Sequence, residues 1–179
     1  MQFKVMTAAV AGALIAMGAQ AASYDYNGDT TGAPTYHRAL AGFGGLSGVG
    51  TDVAYDSFAF SVTADGAYDF LSVADGWDNF LFLYSPSFDP GAALSNGVAS
   101  NDDFGGIGSS GFTAALSTGT AYVLVTTGFG NDDLGAYMNS INGPGSVVAV
   151  PEPATYGMMA LGLLAVGGLA HRRQAAART

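Results

Sequence analysis

Two short loops carry the residues best suited to chemistry. Asn101-Asp102-Asp103-Phe104-Gly105 recurs further along as Asn131-Asp132-Asp133-Leu134-Gly135. Carboxylate and amide oxygens are hard donors, and Ca²⁺ takes roughly six to eight of them. If the two loops meet at one end of the fold, Asn101, Asp102, Asp103, Asn131, Asp132 and Asp133 make a calcium-binding set. The D-x-D-x-D-G register of an EF-hand is missing. The alternative for the same residues is structural: Asx turns whose carboxylates stay in water. Trp77, in Asp75-Gly76-Trp77-Asp78, is the second candidate. An indole on a loop can stack on a sugar ring, and it can equally cap an apolar core.

Other chemistries are poorly supplied. The chain has no cysteine, which excludes a thiol nucleophile, a disulfide framework and a Cys-based zinc site. Its two histidines are His37 and His171. A Ser-His-Asp arrangement would need His37 as its base, yet His37 reads as exposed on an edge strand. Between Ser23 and Ala149 there are 13 Asp and no Glu. A glycosidase pair would therefore have to come from Asp residues that mostly sit in turn contexts. Arg38 is the single base of that segment, which leaves it at −12. Such a domain repels phosphate backbones, so nucleic acid is excluded as a partner. It should attract divalent cations.

The elements that position these residues lie between two address segments. The chain opens with Met-Gln-Phe-Lys, runs from Val5 to Met17 without a charge, and then shows the small residues Ala19-Gln20-Ala21-Ala22. That is a secretory signal peptide over residues 1–22, read by the general secretion machinery. Near the other end stands Pro151-Glu152-Pro153, followed by an uncharged stretch over 154–170 and then His171-Arg172-Arg173. As a helix the stretch would span about 25 Å, enough to cross a bilayer. Arg172, Arg173 and a tail over 174–179 would stay cytoplasmic. Pro-Glu-Pro, a short apolar helix and an Arg-rich end resemble the PEP-CTERM sorting signal of Gram-negative bacteria, placed here at 151–173. The resemblance implies processing by exosortase, a membrane transpeptidase that recognises the Pro-Glu-Pro region. It further implies anchoring in the inner membrane, cleavage near the motif, and delivery to the envelope or beyond.

Between the addresses, apolar residues alternate with period two. Tyr55 to Val62 and Ala67 to Val73 read as a hairpin around Asp65-Gly66. Asn79 to Tyr84 is nearly continuously apolar, as a strand buried on both faces would be. Leu94 to Ala99, Gly111 to Leu116, Ala121 to Thr127 and Tyr137 to Ile141 read as further strands, and Thr35 to Leu40 as a first edge strand. The pattern predicts an all-β exported domain over 23–141, an antiparallel β-sandwich or jelly roll, with a linker over 142–150. Leu81-Phe82-Leu83-Tyr84, Asn101-Asp102-Asp103, Gly119-Thr120-Ala121-Tyr122-Val123-Leu124-Val125 and Gly135-Ala136-Tyr137 occur in the order seen in the bacterial pre-peptidase C-terminal domain. That block resembles this sandwich family, often appended to secreted enzymes.

Together these features predict a non-enzymatic surface or matrix component that binds polysaccharide with calcium. A secreted glycan hydrolase using Asp carboxylates is the first alternative. A protein that assembles through its edge strands is the second.

Overall fold

The computed structural model describes residues 21–150. Nearly all of the expected signal peptide, Pro151-Glu152-Pro153, the span over 154–170 and Arg172-Arg173 lie outside the described residues. The strands are β1 (Ala22–Asp29), β2 (Thr35–Tyr36), β3 (Val53–Val62), β4 (Gly66–Ala74) and β5 (Asn79–Tyr84). They continue with β6 (Gly97–Asn101), β7 (Ser109–Leu116), β8 (Tyr122–Gly128), β9 (Ala136–Gly143) and β10 (Val147–Ala149). Among the described residues the helical elements are two 3₁₀ turns, Ala41–Phe43 and Pro90–Ala92, and no helix is long and apolar enough to cross a membrane.

The fold is an antiparallel β-sandwich. One sheet has the order β1-β9-β4-β7. The other runs β10-β3-β8-β5-β6, with β2 added at the start of β3. In β1 half-buried and exposed residues alternate strictly: Tyr24 and Tyr26 turn inward, Asp25 and Asp29 outward. The inner faces bring Phe60, Tyr68, Phe70, Leu81, Leu83, Leu116, Leu124 and Ile141 into one core between the sheets.

A second core lies outside the six-stranded sheet. There Phe80, Phe82, Tyr84, Val53 and Val125 pack beneath Tyr36, Ala39, Phe43, Phe88 and Ala93. This explains the unbroken apolar run of β5. Leu81 and Leu83 fill the core between the sheets, and Phe80, Phe82 and Tyr84 fill the outer core. All six residues of β5 are buried.

Four local expectations are corrected. The two strands flanking Asp65-Gly66 are not a hairpin: β3 pairs with β8, and β4 with β7 and β9. The chain changes sheets at this corner, so Phe60 and Val62 face Tyr68 and Phe70 across the core instead of lying beside them. Asp65 fixes the corner by accepting from the Thr118 amide at 2.6 Å. Second, β1 precedes the expected first strand, and only Thr35–Tyr36 of that strand pairs. Third, Leu94 and Ser95 belong to a turn, and the strand runs Gly97–Asn101. Fourth, residues 142–150 are not a free linker. Asn142 and Gly143 end β9, and Val147–Ala149 pair with β3.

Phe82→Ala separates the two-core arrangement from a simple two-layer sandwich. Phe82 is fully buried in the outer core. Its truncation is expected to cost about 3–5 kcal/mol in urea denaturation. A cost below about 1 kcal/mol would mean that the outer layer is not packed.

Candidate functional site

Three loops meet where β4 passes to β5, β6 to β7 and β8 to β9. Backbone bonds hold them together: Phe129 N donates to Asp78 O at 2.9 Å, and Ala74 N to Gly108 O at 2.8 Å. Asp133 ties two loops at once. Its Oδ2 accepts from Gly130 N at 2.8 Å, and its Oδ1 from Asp78 N at 3.5 Å. The approach is so close that a Cβ on Gly128 would stand 2.1 Å from the Asp133 carbonyl oxygen.

Between the loops lies an open cleft of about 430 Å³, lined by Ala74, Gly76, Trp77, Asp78, Ile107, Gly108 and Asp133. Trp77 is half-buried in its wall. The indole packs against Gly135, and its N–H donates to Ala136 O at 3.0 Å. The ring is therefore held in one orientation. Ile107 is 78% exposed at the rim, and Phe104, in the same loop, is 59% exposed.

Behind the cleft is a buried cation. Arg38 is 1% exposed. Its guanidinium lies 4.5 Å from the centre of the Phe80 ring and 4.9 Å from that of Phe129. Nε and Nη2 donate to Phe129 O at 3.0 and 2.7 Å, and Nη1 to Ala39 O at 3.0 Å. Burial pulls the Arg38 pKa down from its ordinary value, and the negative charge of Asp102, Asp78 and Asp133 opposes that pull.

The same acids repel one another. Burial, then Asp78 and Asp103, push the Asp102 carboxyl up to about 6, with Arg38 acting the other way. Burial, then Asp103 and Asp133, raise Asp78. One oxygen of each carboxylate, Oδ1 of Asp78 and Oδ1 of Asp102, is buried without a hydrogen-bond partner.

The expected calcium set is thus divided. Asp102, Asp103 and Asp133 come into one electrostatic cluster with Asp78. The amides do other work. Asn101 Oδ1 accepts from Gly111 N at 3.1 Å. Asn131 accepts from Asp52 N at 2.9 Å and donates to Thr51 Oγ1 at 3.1 Å, stapling its loop to the start of β3. Asp132 stands exposed. Among the described residues no group of three or more His, Cys, Asp or Glu is already placed to hold a metal ion. His37 is half-buried, not exposed on a strand. Its Nε2 lies 2.6 Å from Ser47 O, beside a separate cleft of about 210 Å³. Arg38 and Asp78 were not sequence candidates for this site. The one available signal was that Arg38 is the single base in a strongly acidic domain.

Comparison with known proteins gives two findings. The PEP-CTERM protein-sorting motif matches residues 149–173. Among solved structures, the chain is similar to Aeromonas hydrophila PliG, a periplasmic lysozyme inhibitor of g-type lysozyme. The identity is 14% and the TM-score 0.37, over 76% of this chain and 93% of that one. No curated protein matches.

Asp102→Asn tests the electrostatics of the cluster. A carboxyl raised from about 4 to about 6 keeps its full contribution to stability below pH 4, and that contribution is lost as pH rises through 6. The neutral amide is expected to stabilise the fold by about 1 kcal/mol at pH 7.5, after allowance for solvent screening, and by little at pH 4. Urea denaturation at the two pH values reads the difference.

Proposed function

Because the PEP-CTERM motif marks an exported protein, anchored in the membrane until exosortase cleaves it and then delivered to the envelope or extracellular space, we propose that the sandwich is a non-enzymatic surface or matrix component that binds polysaccharide in the Trp77 cleft. The observation that carries this reading is the cleft itself: about 430 Å³, one oriented indole and two carboxylates on its walls. The apolar face of a sugar ring stacks on an indole, and carboxylate oxygens accept from its hydroxyls. The clustered acids disfavour a polyanionic chain, so the ligand is a neutral or amine-bearing glycan. A fixed ring lowers the ordering cost of binding.

Affinity electrophoresis of the exported domain through a panel of neutral and amino-sugar polysaccharides tests this. Retardation by at least one polymer is expected, with Trp77→Ala losing tenfold or more and Trp77→Phe keeping part of it. Free migration of the folded wild-type domain through every polymer rejects the reading. Shortened polymer chains would replace it with an Asp-based hydrolase.

Calcium is the second reading, and the orphaned Oδ1 atoms of Asp78 and Asp102 favour it. A divalent ion there would relieve the mutual repulsion of four carboxylates, and Asp103 would have to swing inward to complete the set. Ion binding to the folded state alone raises its stability by mass action. Millimolar Ca²⁺ is expected to raise the melting midpoint by several degrees, with EDTA reversing the rise and Mg²⁺ not reproducing it. Superimposable melts with Ca²⁺ and with EDTA discard the ion.

A further inference from the structure

The folded domain runs directly into the sorting motif. β10 pairs with β3 in the register Val147↔Val62, Val148↔Ser61 and Ala149↔Phe60. The pairing extends beyond the strand at both ends. Thr63 N donates to Ser146 O at 3.1 Å, and Val150 N to Ala59 O at 2.8 Å. The matched motif begins at residue 149, so its first two residues are already engaged with the sandwich. Pro151, Glu152 and Pro153 then stand between the last hydrogen bond and the expected membrane span at 154. Three extended residues reach about 10 Å. That is a short reach for a membrane enzyme that binds an extended peptide beside a folded domain.

The two ends of β10 are unequal. Its entry is fixed. The Pro144 ring packs on Gly66, a Cβ on Gly145 would stand 2.6 Å from Ala64 N, and Ser146 N donates to Thr63 Oγ1 at 2.8 Å. Val147 packs against the main core. Its exit is lightly held: Val148 and Val150 are 48% and 45% exposed, and each bond there belongs to a single edge strand. Short edge segments with few buried contacts open first.

We infer that β10 is a releasable clamp, and that the sorting enzyme reaches the Pro-Glu-Pro region by peeling residues 147–150 from β3. Four released residues add roughly 13 Å of extended chain. The fixed turn at 144–146 stops the opening there, so the remaining sandwich stays closed while the motif is handled. This inference rests on the sorting motif and on strand pairing, and is independent of what the Trp77 cleft binds.

A covalent lock tests it in the full chain, expressed in a host that carries the sorting enzyme. Ser61→Cys with Val148→Cys places two thiols on directly opposite positions, one half-buried and one exposed, in a chain that has no cysteine of its own. Oxidised in the envelope, the pair is expected to slow motif cleavage at least fivefold in a pulse-chase, and reductant should restore the wild-type rate. The single-cysteine variants should be cleaved normally. Inserting six Gly/Ser residues between Val150 and Pro151 should make the locked chain cleave at the unlocked rate. Protease resistance of the domain verifies that each variant folds. A folded, oxidised chain cleaved at the wild-type rate overturns the clamp, as does a lock whose effect the spacer does not relieve.

Discussion

The fold is organised around a guanidinium taken out of water. Arg38 remains protonated at any physiological pH, and an isolated buried charge costs several kcal/mol. Everything around it offsets that cost. Two carbonyls accept its donors, and two phenyl rings lie against the cation. Asp102, Asp78 and Asp133 supply the opposing field. The contacts come from different parts of the chain: Phe80 from β5, Phe129 from the loop after β8, Ala39 from the layer over the six-stranded sheet. One side chain thereby joins that outer layer, the central strand and the acidic loops. Gly50 shows how tight the seat is, because a Cβ there would stand 2.4 Å from Arg38 Nε.

This gives the acidic loops a structural cause before any ligand is considered. Their carboxylates are the counter-charge of Arg38; burial raises Asp78 and Asp102 most, and the negative charge in excess of one arginine adds to the rise. Here one oxygen on each of two acids has no partner. The cleft walls are rigid because Asp133 and Trp77 are both bonded to backbone of neighbouring loops.

The sandwich was legible because solvent-facing strands alternate with period two, and because β5 is apolar from Phe80 to Tyr84. Sheet membership was not legible. Local alternation at β3 and β4 is the same whether Asp65-Gly66 makes a hairpin or a sheet-changing corner, and only the pairing of distant strands decides. β1 was missed because its inward positions, Tyr24 and Tyr26, alternate with Asp and Asn in a stretch that also reads as a polar leader junction. β10 was missed because two valines beside a Gly-Pro-Gly turn carry no period. At the site, the Asn-Asp-Asp echo lies on two loops whose carboxylates come near one another. It could not show that the asparagines are consumed as staples, nor that Arg38 from a remote segment lies beneath them, because both facts depend on tertiary contacts.

Strand order also ties folding to sorting. The first strand pairs Ala22 with Gly143, and β10 pairs with β3 just before the motif. β1 and β10 lie at the ends of the two sheets and touch each other, so one side of the sandwich is closed by the segments next to the two address signals. During export the N-terminal strand finds no partner until β9 has crossed, and β3 keeps an open edge until residues 147–149 follow. Such long-range pairing is slow, because loop closure precedes its reward. The domain therefore completes its fold only when the chain has been translocated to within a few residues of the sorting motif. A protein with a flexible stalk would fold well before its anchor arrived. Here the last strand and the first residues of the address are one continuous, hydrogen-bonded segment.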